Sequence, residues 1–212
     1  MSERVEAAYD DWSTSYDRDP NRTRDLDAEV VRTVFAGRRF GVVVEAGCGT
    51  GKNTASYAAI AGAVHAFDSS AGMLAQARAK VGAAHVTFAP GDVTRHWPFA
   101  DRIADLVAFD LVLEHVDDLR PAFAEAARVL RAGGELFVCE FHPFRQYAGK
   151  HANFQRGAAV VDVPFFVHHV SDFTGAAAAA GLRLAELREW WHAEDVGKPP
   201  RLLSLRFSRP SE

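Results

Sequence analysis

The sequence predicts an α/β fold: a seven-stranded, mostly parallel sheet with an antiparallel last strand and helices on both faces. Three observations carry that expectation. Strand-like and helix-like stretches alternate from residue 40 to residue 141, a rhythm that demands parallel strands joined by crossover helices. A glycine-rich turn, Gly47-Cys48-Gly49-Thr50-Gly51, sits at the first strand–helix junction. Two strand-like stretches end the chain, and the turn between them is short enough to make them antiparallel.

Taken in order, residues 1–39 read as two amphipathic helices. Phe40–Ala46 is a short apolar run closed by glycine, as a buried strand is. Residues 53–61 are helical in composition, and 63–67 form a second strand closed by Asp68. Residues 71–81 form a helix with Met73, Leu74, Ala77 and Val81 on one face. A third strand, 85–89, ends at Gly91-Asp92, and a fourth spans 104–109. The helix at 121–130 carries Pro121 in its first turn and Gly133-Gly134 beyond its end. A fifth strand follows at 135–141. Residues 142–170 break the rhythm and are rich in aromatics and histidines. Five alanines before Gly181 end a helix at its C-cap. The last strands, 182–191 and 201–208, flank a turn at Gly197-Lys198-Pro199-Pro200.

Composition narrows the function. The 212 residues suit one domain and can bury a full core. Lys and Arg number 24 against 28 Asp and Glu, a net charge of −4. That disfavours binding to duplex nucleic acid or to an anionic membrane, both of which need a basic face. Two cysteines, Cys48 and Cys139, make no disulfide framework and point to a reducing, cytoplasmic setting. The N-terminus is charged and lacks the apolar stretch of a secretory signal. No apolar run reaches the roughly 18 residues a membrane span needs.

The glycine loop admits three readings. A dinucleotide fingerprint needs glycine at position 52, where Lys52 stands. A phosphate loop needs glycine at 46 and Ser or Thr at 53, where Ala46 and Asn53 stand. What fits is acidic-x-Gly-x-Gly-x-Gly, starting at Glu45. This resembles the first motif of class I S-adenosylmethionine-dependent methyltransferases of the small-molecule, ubiquinone-biosynthesis-like type. Further features stand in that family's order. They are Asp68, 23 residues after Glu45; Gly91-Asp92; Ala104 to Phe109 followed by Leu113-Glu114-His115-Val116; and Leu130-Arg131-Ala132-Gly133-Gly134, with Ala132 in place of the family's proline.

The resemblance implies S-adenosyl-L-methionine as cofactor. The cofactor-binding residues it implies are Tyr9, Tyr16, Glu45, Gly47, Cys48, Gly49, Asp68, Ser69, Met73, Gly91, Asp92, Val93 and Phe109. Asp68 would take the ribose hydroxyls, and the Asp92 region the adenine amino group. Tyr9, Trp12 and Tyr16 are similar to an aromatic element that lids the cofactor in small-molecule members. Residues 1–39 would then be a helical lid, 40–141 the cofactor-binding core, 142–170 a cover over the acceptor, and 171–212 a C-terminal helix and strand pair. Phe144, Tyr147, Phe154, Phe165 and Phe166 would line an apolar crevice. Such a crevice suits a small organic acceptor, an aromatic or heteroaromatic metabolite in particular.

Methyl transfer from a sulfonium is an in-line displacement that needs alignment and dryness, with a base if the acceptor must lose a proton. The candidate catalytic residues are Tyr16, His115, His142 and His168, with His169 beside the last. His65, His85, His96, His151 and His192 read as bystanders. His168 and His169 are adjacent and point to opposite faces of an extended chain, and no zinc spacing occurs, so no metal is expected. Cys48 reads as a small filler between glycines. The expected partner is a small-molecule substrate, with no nucleic acid or membrane, for a monomer or homodimer. Two rival readings are a non-catalytic S-adenosylmethionine-binding regulator and an NAD-dependent oxidoreductase, the latter disfavoured by Lys52.

Overall fold

A computed structural model describes residues 1–211. The helices are α1 (Glu3–Trp12), α2 (Arg22–Val34), α3 (Thr54–Ala58), α4 (Ala71–Lys80), α5 (Arg120–Val129), α6 (Pro143–Tyr147) and α7 (Val170–Ala179). The strands are β1 (Phe40–Ala46), β2 (Ala61–Asp68), β3 (Val86–Pro90), β4 (Ala104–Asp110), β5 (Leu130–Phe141), β6 (Asn153–Arg156), β7 (Ala159–Asp162), β8 (Arg183–Trp190) and β9 (Leu202–Ser208). Seven of the strands form one sheet in the order β3-β2-β1-β4-β5-β9-β8. The last strand in sequence, β9, runs antiparallel to β5 and β8, and the other pairings are parallel.

Buried strands alternate their side chains between two layers. Val44, Ala46, Val107, Phe109, Leu136 and Val138 pack with Phe123 and Ala126 of α5 and Phe173 and Ala177 of α7. Val43, Val64, Leu106, Ala108, Phe137 and Cys139 pack on the opposite face with Leu26, Val30 and Val31 of α2 and Tyr57 of α3. The period-two register of the strands therefore sorts one continuous apolar sequence into two cores.

Three local differences from the sequence reading have physical causes. Helix α3 is short because Phe40 N–H already pairs with Ile60 O, drawing residue 61 into β2. Strand β5 starts at Leu130 rather than 135, with a register break opposite Ala104 and Leu106. Residues 142–170 are not a plain cover but hold α6 and a β6–β7 hairpin. The imidazole Nδ1 of His142 caps α6 by accepting from Phe144 N–H at 3.2 Å. The hairpin packs on α1 through Phe154, stacked on Trp12 at 5.0 Å between centroids.

Candidate functional site

The sheet order reverses between β1 and β4, and the carboxyl ends of β1, β2 and β4 open there onto a cleft, the usual ligand position in such sheets. The cleft holds about 670 Å³ of empty space, part of it open to solvent. Its floor is the β1–α3 loop. Gly47, Gly49 and Gly51 all have positive φ, and a Cβ on Gly47 would meet Val112 Cγ2 at 2.4 Å. A Cβ on Gly49 meets nothing within 4 Å, and Gly49 lines the cleft. The first glycine thus serves close packing and the second leaves room for a ligand to approach the backbone.

Asp68 organises this floor. Its carboxylate accepts Gly49 N–H at 2.8 Å and Ser70 N–H at 2.9 Å. Burial pushes its pKa up, against the pull of those N–H groups. Helix α1 and the turns that follow it close from above. Asp10 accepts from Ser70 Oγ at 2.6 Å and from Gly72 N–H at 2.8 Å, and Asp17 accepts from Thr50 Oγ1 at 2.8 Å.

The inner wall is a buried acidic cluster. Burial pushes Glu45 up to about 8 and Asp27 up to about 6, and raises Asp110 well above the carboxylate range. Glu45 accepts from the Thr54 hydroxyl, Asp27 from Asn53 Nδ2 at 2.6 Å, and Asp110 from Tyr57 OH at 2.8 Å. Behind them, Glu140 is also pushed up to about 8 by burial. Opposite this cluster stands Arg24, placed in the first turn of α2 by the Asn21 cap. Its guanidinium donates to Tyr16 O and Asp19 O and lies 3.9 Å from the centroid of the Tyr16 ring. Arg24 Nε, Asp27 Oδ1, Asn53 Oδ1 and Asp110 Oδ1 are all buried without a protein partner, and all four residues line the cleft.

Nine residues expected on the cofactor side line this cleft: Tyr9, Tyr16, Glu45, Gly47, Cys48, Gly49, Asp68, Ser69 and Met73. Four others do not. Val93 and Phe109 are fully buried in the core. Gly91 backs onto the Phe67 ring, and Asp92 is engaged by Thr94 N–H at 2.8 Å and by the Met1 amine. Sequence reasoning passed over Arg24, Asp27 and Asp110. A signal existed: Arg24 and Asp27 fall at i and i+3 on the side of α2 that carries Val31 at i+7, a buried side where charge has no structural reason to be. Burial also raises the Cys48 thiol, which removes it as a nucleophile.

A second chamber of about 590 Å³ shares Tyr9, Tyr16, Arg24 and Leu111 with the first. Its further walls are Trp12, Asn21, Thr23, Glu114, Phe141, His151, Ala152 and Asn153. The aromatic lining expected from 142–170 is corrected here. Phe144 and Tyr147 are 53% and 55% exposed, because α6 buries Pro143 and Gln146 instead. Phe154 lies under Trp12, Phe165 stacks on His151, and Phe166 is exposed. The chamber wall is consequently mixed, aromatic on the α1 side and polar on the hairpin side.

The histidines separate by place. Tyr9 OH lies 2.7 Å from His115 Nε2, and His115 Nδ1 lies 2.7 Å from Pro164 O. A carbonyl only accepts, so Nδ1 carries the hydrogen and Nε2 accepts from Tyr9. His142 and His168 lie outside both cavities. His142 pairs with Glu189 at 3.1 Å while capping α6, and His168 Nε2 bonds Val116 O at 2.7 Å. His169 caps α7 and meets the Tyr147 hydroxyl. No group of three His, Cys, Asp or Glu residues able to hold a metal, and no helix long and apolar enough to cross a membrane, occurs among the described residues.

A model of the "Methyltransferase domain" family matches residues 44–138. The demethylmenaquinone methyltransferase of Thermobifida fusca is 38% identical over 47% of this chain and 43% of its own length. The malonyl-[acyl-carrier protein] O-methyltransferase of Salmonella typhimurium is 35% identical over 50% of this chain and 41% of its own length. The chain therefore spans less than half the length of each of these two curated relatives. In fold it is similar to the N-methyltransferase NodS from Bradyrhizobium japonicum in complex with S-adenosyl-L-homocysteine, with a TM-score of 0.73 at 16% identity, covering 99% of this chain and 100% of that one.

Proposed function

We propose that this chain, whose residues 44–138 match a methyltransferase-domain model and whose fold is similar to that of a methyltransferase solved with S-adenosyl-L-homocysteine, transfers a methyl group from S-adenosyl-L-methionine to a small organic acceptor. One observation carries the reading beyond the fold. Four buried polar atoms, on Arg24, Asp27, Asn53 and Asp110, have no hydrogen-bond partner, and all four residues line the glycine-loop cleft. Buried polar groups are ordinarily paired, so this set calls for a ligand that bears both a cation and an anion. The amino-acid end of the cofactor is such a group. Arg24 would hold its carboxylate, with Lys52 nearby, and Asp27 and Asp110 its ammonium. Asp68 would take the ribose hydroxyls, while Gly47 packs the loop against Val112 and Gly49 admits the ligand to the loop backbone. Tyr9, Tyr16, Ser69 and Met73 would cover it.

When bound, the cofactor supplies an electrophilic methyl on a sulfonium with a neutral thioether as leaving group. The protein's share is alignment and exclusion of water. The adjoining chamber would hold the acceptor, with Tyr9 and Tyr16 at the boundary between the two ligands. His115 fixes the direction of the Tyr9 hydroxyl, which leaves the Tyr9 oxygen lone pairs free to accept from the acceptor. His142 and His168 take no part in this reading. The Trp12, Tyr9 and Tyr16 rings favour a flat aromatic or heteroaromatic acceptor. The relative from Thermobifida fusca, named for demethylmenaquinone, is consistent with that class. We place the protein in a reducing, cytoplasmic setting as a monomer or homodimer, acting on neither nucleic acid nor membrane.

Titration calorimetry with S-adenosylmethionine and S-adenosylhomocysteine tests the proposal. Both bind with micromolar-range affinity if it holds, and binding of neither at millimolar ligand refutes it. Asp68→Ala weakens binding about tenfold or more, the loss of a charge-assisted bond pair. An unchanged affinity removes the ribose assignment.

A further inference from the structure

We propose that His151 and Asp162 form the proton-accepting dyad for the methyl acceptor, and that this acceptor is a hydroxyl compound, phenolic or enolic, that must lose its proton. The inference rests on the methyl-transfer reading above and assigns a residue that sequence reasoning set aside.

The hairpin builds the dyad. Asn153 at the start of β6 is paired with Asp162 at the end of β7, and Val163 N–H bonds Ala152 O at 3.0 Å. His151, two residues before Asn153, is thereby brought beside the Asp162 carboxylate, with Nε2 2.9 Å from Oδ1. The Asn153 side-chain amide donates to His151 O at 3.2 Å, and the Phe165 ring stacks on the imidazole at 4.5 Å and 5°. The Asp162 carboxylate and the Phe165 ring together fix the plane of the imidazole, and the Asn153 amide holds the backbone that carries it.

The tautomer follows from the partner. An ionised carboxylate only accepts, so Nε2 carries the hydrogen and Nδ1 keeps its lone pair. Nδ1 is buried and has no partner in the protein. The residue lines the chamber that adjoins the cofactor cleft. A buried acceptor atom left unpaired costs stability, and a ligand that donates an O–H there removes that cost.

The other imidazoles of the site are spent. His115 uses Nδ1 on Pro164 O and Nε2 on Tyr9. His142 and His168 hold the fold. Burial raises Tyr9 well above the phenolic range and Tyr16 to about 12, so both phenols stay protonated. The charged groups around the chamber are Asp162 behind the imidazole, and Glu114 and Arg24 in the walls. Glu114 already accepts from Gln146 Nε2 at 3.4 Å.

The step balances as follows. The acceptor oxygen forms its bond to the methyl carbon as the carbon–sulfur bond breaks, its electron pair going to sulfur. The hydroxyl proton passes to His151 Nδ1, giving an imidazolium held by Asp162. The products are a methyl ether and a thioether, and the proton later leaves to solvent. A carboxylate acceptor would need no such base.

The test uses the full chain, as wild type, His151→Gln and Asp162→Asn. Nitrogen NMR of imidazole-labelled protein, with the signal assigned by its loss in His151→Gln, is expected to show the Nε2–H tautomer in the neutral form, with Nδ1 carrying no hydrogen. A neutral Nδ1–H tautomer overturns the dyad. S-adenosylhomocysteine calorimetry is expected to give equal affinities in all three proteins. Absence of binding in wild type instead refutes the methyl-transfer reading itself. With catechol and 1,4-naphthohydroquinone as acceptors, His151→Gln is expected to lower kcat about 100-fold or more and to erase the ascending limb of the pH profile, with KM little changed. Asp162→Asn, which removes a positioning group, moves that limb. A His151→Gln protein that keeps its rate and its pH profile overturns the proposal. A wild type that binds S-adenosylhomocysteine but methylates neither phenol overturns the acceptor class.

Discussion

The Tyr9 hydroxyl and His115 Nε2 lie 2.7 Å apart, and this bond stands where the two cavities meet. It joins α1 to the turn after β4, and through Pro164 O to the segment that follows the hairpin. Tyr9→Phe removes the donor and leaves His115 Nε2 unpaired. The expected cost in unfolding free energy is about 1–2 kcal/mol. S-adenosylhomocysteine affinity should change little, while methyl transfer falls about 10–100-fold because the acceptor loses a positioning group. Denaturant unfolding and single-turnover rates check this, and an unchanged turnover removes Tyr9 from the reaction.

Arg24 gives a prediction on the cofactor side. Its guanidinium is held by Tyr16 O and Asp19 O, covers the Tyr16 ring, and keeps Nε for the cleft. Lysine preserves the charge but not the planar fork, so Arg24→Lys is not conservative. Arg24→Lys should weaken S-adenosylhomocysteine binding about tenfold, and Arg24→Ala more. Equal affinities by calorimetry would withdraw the carboxylate assignment.

What was legible in the sequence tracks local physics. β1 at Phe40–Ala46 and the Gly181 helix end are set by apolar run length and by glycine's freedom, both written locally. The antiparallel β8–β9 pair follows from a short connection, but its insertion as β5-β9-β8 is a tertiary choice. That the glycine loop, Glu45 and Asp68 would gather on one cleft was legible because they sit at strand ends. The histidines were not. Whether His142 or His151 faces a cavity depends on a helix cap and a hairpin register over residues 142–162, and the place of His168 on a bond to Val116 O, and none of these leaves a periodic trace.

The two loop glycines separate packing from binding. Both have positive φ, so alanine strains either position by about 1–2 kcal/mol. At Gly47 the added methyl also strikes Val112 at 2.4 Å, whereas at Gly49 it meets nothing within 4 Å. Gly47→Ala should therefore destabilise the fold by about 3 kcal/mol or more, adding overpacking to the strain. Gly49→Ala should cost only the strain, yet weaken S-adenosylhomocysteine binding by narrowing the approach to the loop. Val112→Ala should rescue Gly47→Ala in part and Gly49→Ala not at all. Thermal unfolding and calorimetry on wild type, the three single variants and the two double variants decide it, and equal stability losses at the two glycines would contradict the packing argument.

The buried acids make stability fall as pH rises. Glu140 accepts Val112 N–H at 2.9 Å and Leu113 N–H at 2.7 Å through Oε1, while Oε2 is unpaired. Burial pushes its pKa from 4.5 up to about 8. With the folded value above the unfolded one, the native state holds the extra proton. Its stabilising effect is complete below about pH 4.5 and is lost as pH climbs through about 8. The loss attributable to this one group between pH 5 and pH 8 is on the order of 3 kcal/mol. Glu140→Gln keeps the Oε1 acceptor and cannot ionise. Urea unfolding at several pH values should show the variant gaining on wild type as pH rises and surpassing it at pH 8. Glu45, also pushed up to about 8, and Asp27, to about 6, keep the wild-type slope steep, so the difference between the two curves isolates Glu140. A difference that does not change with pH would mean that Glu140 is ionised in the folded protein, and the wall behind the cleft would then be charged rather than neutral.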